Sequence, residues 1–169
     1  DIKTVTALGS YATTAVTAVT AQNTKGVKKI IPIPTEIVQK QIIMILDDIG
    51  TNAVKIGMLH NAGIIKIIYK ILKKYKSKNI VLDPVMISKG GAKLISDNSI
   101  KHLKKLLLPL CALVTPNIPE AEVLTGYSIS TKEDMIKAAK KILNMGSKNV
   151  LLKGGHFKNK MIFDILVTK

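Results

Sequence analysis

Amphipathic helical patterns alternate along this chain with apolar runs too short to be helices, and this alternation limits the fold more than any other property of the sequence. Val38, Ile42, Ile45 and Ile49 keep helical spacing after a start at Pro34 and Thr35. Ile64, Ile68, Ile71 and Tyr75 do the same, with Lys66, Lys70, Lys73 and Lys74 mostly on the opposite side. Residues 99–108 set Lys101, Lys104 and Lys105 against Ile100, Leu103, Leu106 and Leu107. A fourth pattern begins at Ser130 or Thr131, either of which can cap it. It carries Glu133 and Asp134 in its first turn and ends at Gly146.

Between these patterns lie residues 53–58, 80–82, 113–114 and 150–152, short and rich in β-branched side chains, as buried strands are. Strand and helix in regular alternation predict an α/β fold with right-handed crossovers and a mostly parallel sheet covered on both faces. Upstream, residues 11–21 are dense in Thr and Val and form another strand candidate, and residues 29–34 a short one. With 169 residues and no repeat, linker or composition break, the expectation is a single domain over 1–169.

A hydrophobic content of 47% argues against disorder. Cys111, the only cysteine, excludes a disulfide scaffold and fits a reducing, cytoplasmic compartment. No apolar run approaches the ~18–20 residues that span a bilayer. Asp1-Ile2-Lys3-Thr4 is not a signal peptide, and without an initiator Met the chain reads as a processed product or a piece. The net charge of +15 raises nucleic acid or an anionic membrane as partner. Yet all 26 basic residues are Lys, spread from Lys3 to Lys169, and only four Tyr and two Phe could stack on bases. In a chain that also holds 25 Ile, the lysines read as solvated helix faces, and neither partner is expected.

Ligands of open parallel sheets bind beyond the carboxyl ends of the strands. There the sequence places Gln22-Asn23-Thr24, Gly57-Met58, Asp83-Pro84, Thr115-Pro116-Asn117 and Lys153-Gly154-Gly155-His156. Asp83 either binds a metal, directly or through water, or serves as a turn or cap before Pro84. Asn117 and Glu120 enter a short helix over 118–124, with Pro119 in its first turn. An amide and a carboxylate three apart share a helix face and suit Mg²⁺ held beside phosphates, and the same pair also suits a purely structural cap. Lys153 before two glycines offers a compact cation to phosphate oxygens, or is one lysine in a tight turn. The Ser88-Lys89-Gly90-Gly91 loop is a second glycine-bearing candidate. The Lys153 loop is not a P-loop. His60, His102 and His156 show no metal-ligand spacing, and Cys111 reads as a small buried hydrophobe.

Taken together, Thr17-Ala18-Val19-Thr20-Ala21-Gln22-Asn23-Thr24, Val54-Lys55-Ile56-Gly57-Met58-Leu59, Val81-Leu82-Asp83-Pro84-Val85-Met86, Thr115-Pro116-Asn117-Ile118-Pro119-Glu120 and Leu152-Lys153-Gly154-Gly155-His156 resemble the hydroxymethylpyrimidine/phosphomethylpyrimidine kinases of thiamine biosynthesis. These are members of the ribokinase-like superfamily, so the resemblance implies a three-layer α/β/α fold. It also implies ATP-dependent phosphorylation of the pyrimidine alcohol and then of its monophosphate, with Mg²⁺ as cofactor. Gln22, Gly57 and Met58 would bind the pyrimidine. Asp83, Asn117 and Lys153 would lie on the ATP side, Glu120 and Asp83 would serve the metal, and Lys153 would contact the transferring phosphate. Where the family commonly carries Val, two positions before the Gln, this chain has Thr20. The family's N-terminal glycine-rich segment and its C-terminal G-T-G-C segment, which bears the expected base, are not within these residues. The expectation is therefore a partial kinase domain, incomplete at both ends and inactive alone. Resemblance also implies a homodimer. A pyridoxine or pyridoxal kinase of the same superfamily, and a non-catalytic fragment, are the alternatives.

Overall fold

The short apolar runs become the strands of a parallel sheet in a computed structural model that describes residues 1–86, 94–155 and 162–169. The chain opens with helix α1 (Ile2–Ala7) and an antiparallel hairpin, β1 (Ala18–Asn23) and β2 (Gly26–Pro32). It then alternates through α2 (Thr35–Asp48), β3 (Val54–Ile56), α3 (Ala62–Lys74), β4 (Ile80–Leu82), α4 (Asp97–His102), β5 (Leu113–Val114), α5 (Ile118–Thr125), α6 (Lys132–Asn144) and β6 (Asn149–Leu152). A final strand, β7 (Ile165–Thr168), returns antiparallel to β6. The sheet order is β3-β4-β5-β6-β7, and β3 to β6 run parallel.

Strand order follows chain order from β3 to β6, so crossovers of one hand stack their helices on one face. Burial agrees. Ile56, Ile80, Leu82, Val114, Val150 and Leu152 are buried, whereas Lys55, Val81, Leu113 and Leu151 between them are exposed or half-buried. These helices cover the face of the sheet that carries the buried residues, and on the opposite face Asp1, at the start of α1, meets Lys55 of β3. On the covered face α2 packs on α3, α3 on α4, α5 on α6, and α6 on β6 and β7.

Helix α3 shows why this face holds. Asn61 caps it by accepting from the Ile64 N–H at 3.0 Å. Ile64, Ile65, Ile68, Ile71 and Leu72 are buried on one stripe, each contributing roughly 1.5–3 kcal/mol relative to exposure. The third predicted helix differs. It is α-helical only to His102, widens into a π turn over Leu103–Leu107, and closes as a 3-10 turn over Leu108–Leu110. Pro109 lacks an N–H and clashes with the carbonyl four residues back, so the regular ladder does not pass it.

The hairpin also departs from expectation. Residues 11–17 are not a strand, and β1 and β2 pair only with each other, outside the main sheet. Asn23 Oδ1 accepts from the Lys25 and Gly26 N–H groups at 2.9 and 3.2 Å and closes the turn. Strand β7 was not predicted from the sequence, because an apolar run as short as Ile165–Thr168 does not by itself distinguish a strand from irregular backbone.

Candidate active site

Four elements converge at the carboxyl end of the parallel sheet. Asp83 follows β4, and its N–H donates to Ile56 O at 2.8 Å, which keeps the residue in register with β3 before Pro84 turns the chain away. The Thr115 N–H extends the next ladder by donating to Leu82 O at 2.9 Å, and the Lys153 N–H does so by donating to Pro116 O at 2.8 Å. An isolated parallel bridge then places Lys153 beside Asn117, the N-cap of α5. Backbone pairing alone therefore brings Asp83, Thr115, Asn117 and Lys153 together.

Their side chains form one polar cluster. Lys153 Nζ lies 2.8 Å from Asp83 Oδ1, and Thr115 Oγ1 donates to the same oxygen at 3.2 Å. Lys55 Nζ, from β3, stands 3.9 Å from Asp83 Oδ2. Asn117 and Glu120 close a capping box, with Asn117 Oδ1 accepting from the Glu120 N–H and Glu120 Oε2 accepting from the Asn117 N–H, both at 2.9 Å. The structural alternative for this pair is thus realised, and it does not remove Glu120 from the cluster. Glu120 is 3% exposed, and burial raises its pKa. The Asn117 N–H and the Lys153 ammonium favour its charged form, while Asp83 opposes it.

Asp83 and Glu120 are the oxygen donors that could hold a divalent cation here. Among the described residues no group of three or more His, Cys, Asp or Glu could enclose one. Two carboxylates completed by water and phosphate oxygens fit the way Mg²⁺ is usually held.

The second half of the site is a cavity of about 770 Å³ between α1, β1, β3, α2 and α3. Gln22, Gly57 and Met58, the three residues predicted to contact a ring, all line it, together with Thr17, Thr20 and Lys55. Gln22 does not follow a strand as expected. It lies within β1, beside the irregularity in the β1–β2 register, and is exposed. Thr20 Oγ1 donates to Gln22 Oε1 at 3.2 Å, so the residue that departs from the family pattern holds the amide. Thr17 Oγ1 donates to Met58 O at 3.0 Å and ties the loop after β3 to the hairpin. A Cβ on Gly57 would meet nothing within 4 Å, so packing does not demand glycine there and the space is open to a ligand.

Gly154 behaves differently. Its Cβ would fall 1.9 Å from Phe163 O, and its N–H donates to Asp164 Oδ1 at 2.9 Å. Glycine is required there by the chain returning toward β7 rather than by an approaching phosphate. His156 and the Ser88-Lys89-Gly90-Gly91 loop lie outside the described residues. Cys111 sits before β5, at the far end of the sheet. Its thiol donates to Leu107 O at 3.1 Å, and burial pushes its pKa up to about 12, which leaves it protonated and inert. Sequence reading gave no role to Lys55, Thr115 or Thr17. A lysine between Val54 and Ile56, in an otherwise apolar strand, was the signal available for the first.

Comparison with known proteins agrees with this geometry. The chain is 49% identical over 166 residues to the thiamine biosynthesis bifunctional protein ThiED of Geobacter sulfurreducens, covering 98% of this chain and 34% of that one. It is 46% identical over 156 residues to the hydroxymethylpyrimidine/phosphomethylpyrimidine kinase of Bacillus subtilis, covering 92% of this chain and 58% of that one. A crystal structure of phosphomethylpyrimidine kinase from Clostridium difficile 630 superposes with a TM-score of 0.90 at 47% identity, over 99% of this chain and 72% of that one. The pyridoxal kinase of Staphylococcus aureus in complex with ADP gives 0.89 at 31% identity, over 99% and 61%. The chain thus spans less than two thirds of the length of the curated relatives described here. A family model described as phosphomethylpyrimidine kinase matches residues 1–169 throughout, and this chain belongs to that family.

Proposed function

We propose that this chain is the part of a hydroxymethylpyrimidine/phosphomethylpyrimidine kinase that carries the phosphate-handling strand ends and one wall of the pyrimidine pocket. The reaction is transfer of a phosphoryl group from ATP to the pyrimidine hydroxymethyl oxygen, then to the resulting monophosphate. One observation carries the reading: the Asp83–Lys153 pair at the ends of β4 and β6 stands next to Glu120 and is linked through Lys55 to a cavity lined by Gln22, Gly57 and Met58. Phosphoryl transfer asks a protein for alignment and charge neutralisation above all. Lys153 would exchange its bond to Asp83 for the transferring phosphate. Asp83 and Glu120 would hold Mg²⁺, which neutralises phosphate charge when bound. Asn117 would keep the start of α5 facing the ATP phosphates, and Gln22 would hydrogen-bond the aminopyrimidine.

Exposed Val19, Val27 and Ile31 on the hairpin support the proposal of a homodimer. No described helix is long and apolar enough to cross a membrane, and we place the protein in the cytoplasm as part of the same proposal. Residues 1–169 alone are expected to be inactive, since they span only 58% of the length of the Bacillus subtilis kinase. Robust Mg-ATP turnover by them would refute this.

The likeness to pyridoxal kinases supports a second reading with pyridoxal as acceptor. Turnover of hydroxymethylpyrimidine and of pyridoxal by the complete gene product decides between them. Preference for the pyrimidine is expected, and faster turnover of pyridoxal would overturn the assignment.

A further inference from the structure

Lys55 is the one charged side chain within the four parallel strands, at 54–56, 80–82, 113–114 and 149–152, which are otherwise almost wholly apolar. It lines the cavity that also holds Gln22, Gly57 and Met58, whereas Asp83 and Lys153 do not. Its ammonium nevertheless lies 3.9 Å from Asp83 Oδ2, while Lys153 takes Oδ1 at 2.8 Å. Lys55 therefore joins the two halves of the site, with its positive end where the cavity meets the polar cluster around Asp83.

Nothing in its present contacts commits it there. Its short contact, 2.5 Å to Asp1 Oδ1, joins a side chain 43% exposed to one 69% exposed, and solvated pairs of this kind contribute little to stability. The contact to Asp83 is at the outer limit of ion pairing. A dianionic group entering from the cavity would displace both.

The two proposed acceptors differ in that respect. The alcohol is neutral, whereas a phosphomonoester carries a charge of about −1.5 to −2 at neutral pH. We propose that Lys55 receives the phosphate of the monophosphorylated pyrimidine, making it the residue that sets preference for the second acceptor over the first. This rests on the kinase reading above.

The test uses the complete gene product and two readouts. By calorimetry, Lys55→Gln should weaken binding of the pyrimidine monophosphate about 10- to 100-fold more than binding of the alcohol, the range for losing a charged hydrogen bond. Lys55→Arg should restore most of the difference. Asp1→Asn, which removes the competing carboxylate, should tighten binding of the monophosphate. In kinetics, the ratio of kcat/KM for monophosphate over alcohol should fall in Lys55→Gln, chiefly through KM. Equal losses for both ligands would show that Lys55 only supports the fold and would overturn the proposal. Failure of the unsubstituted protein to phosphorylate either acceptor would instead sink the kinase reading, and the binding comparison decides the role of Lys55 without turnover.

Discussion

The two halves of the candidate site differ in how completely the protein assembles them. At the ends of β4, β5 and β6 the Asp83, Thr115, Asn117, Glu120 and Lys153 side chains have partners within the protein, and ladder bonds past the strand ends fix the backbone beneath them. Around the hairpin Gln22 is exposed and, among the described residues, is held by Thr20 alone, and no described atom lies within 4 Å of a Cβ built on Gly57. The first half is preorganised, and the second leaves its polar groups for a ligand to satisfy. Substitutions in the first half should therefore reach turnover and stability, and those in the second chiefly ligand affinity.

The largest expected effect lies in the first half. In the complete gene product, Lys153→Ala should lower kcat by ~10²–10³-fold, the usual loss when one preorganised charge-stabilising donor is removed. Steady-state kinetics check this, and a loss smaller than tenfold would mean that Lys153 only neutralises Asp83. Gly154→Ala should cost about 1–3 kcal/mol, because the added methyl overlaps Phe163 O and must move the chain leading to β7. A shift in the urea midpoint reads this out, and an unshifted midpoint would mean that the return strand yields freely.

In the second half, Thr20→Val should raise KM for the pyrimidine ~5-fold, about the worth of one hydrogen bond. It should leave the urea midpoint nearly unchanged, since the bond lies at the surface between an exposed Gln22 and a half-buried Thr20. A larger fall in kcat than rise in KM would blur the distinction between the halves.

The smallest effect is a pH dependence. Burial raises the Glu120 pKa, so the folded protein holds that proton more tightly than the unfolded chain does. The contribution favours folding in full below the unfolded value and is lost as pH rises through the folded one. Relative to Glu120→Gln, wild-type stability should thus be highest near pH 4 and decline toward pH 7, as urea titrations at both ends would show. A difference that grows with pH would mean that Lys153 and the Asn117 N–H outweigh burial.

The same contrast explains what could be read from sequence. Apolar runs and helical periods located β3 to β6, α2, α3, α5 and α6, because each buries one face against its neighbours and burial selects residue types. Asp83, Asn117, Glu120 and Lys153 were legible because strand ends in a parallel sheet point one way, so the residues after each run must meet. The hairpin was misread, since Val and Thr at 11–21 suit a solvated ribbon or an irregular segment as well as a buried strand, and the turn at Asn23 and Gly26 carries the distinction. Lys55 carries no legible role in the sequence, because its contact with Asp83 is made across the sheet.

The central claim is that the phosphate is handled at the strand ends and the ring in the hairpin cavity. Steady-state phosphorylation of hydroxymethylpyrimidine by the complete gene product carrying Asp83→Asn tests it most directly. The account predicts that kcat falls by ~10²-fold or more while KM for the pyrimidine stays within about threefold. A kcat within about twofold of the unsubstituted protein, or a loss carried by KM alone, would contradict it.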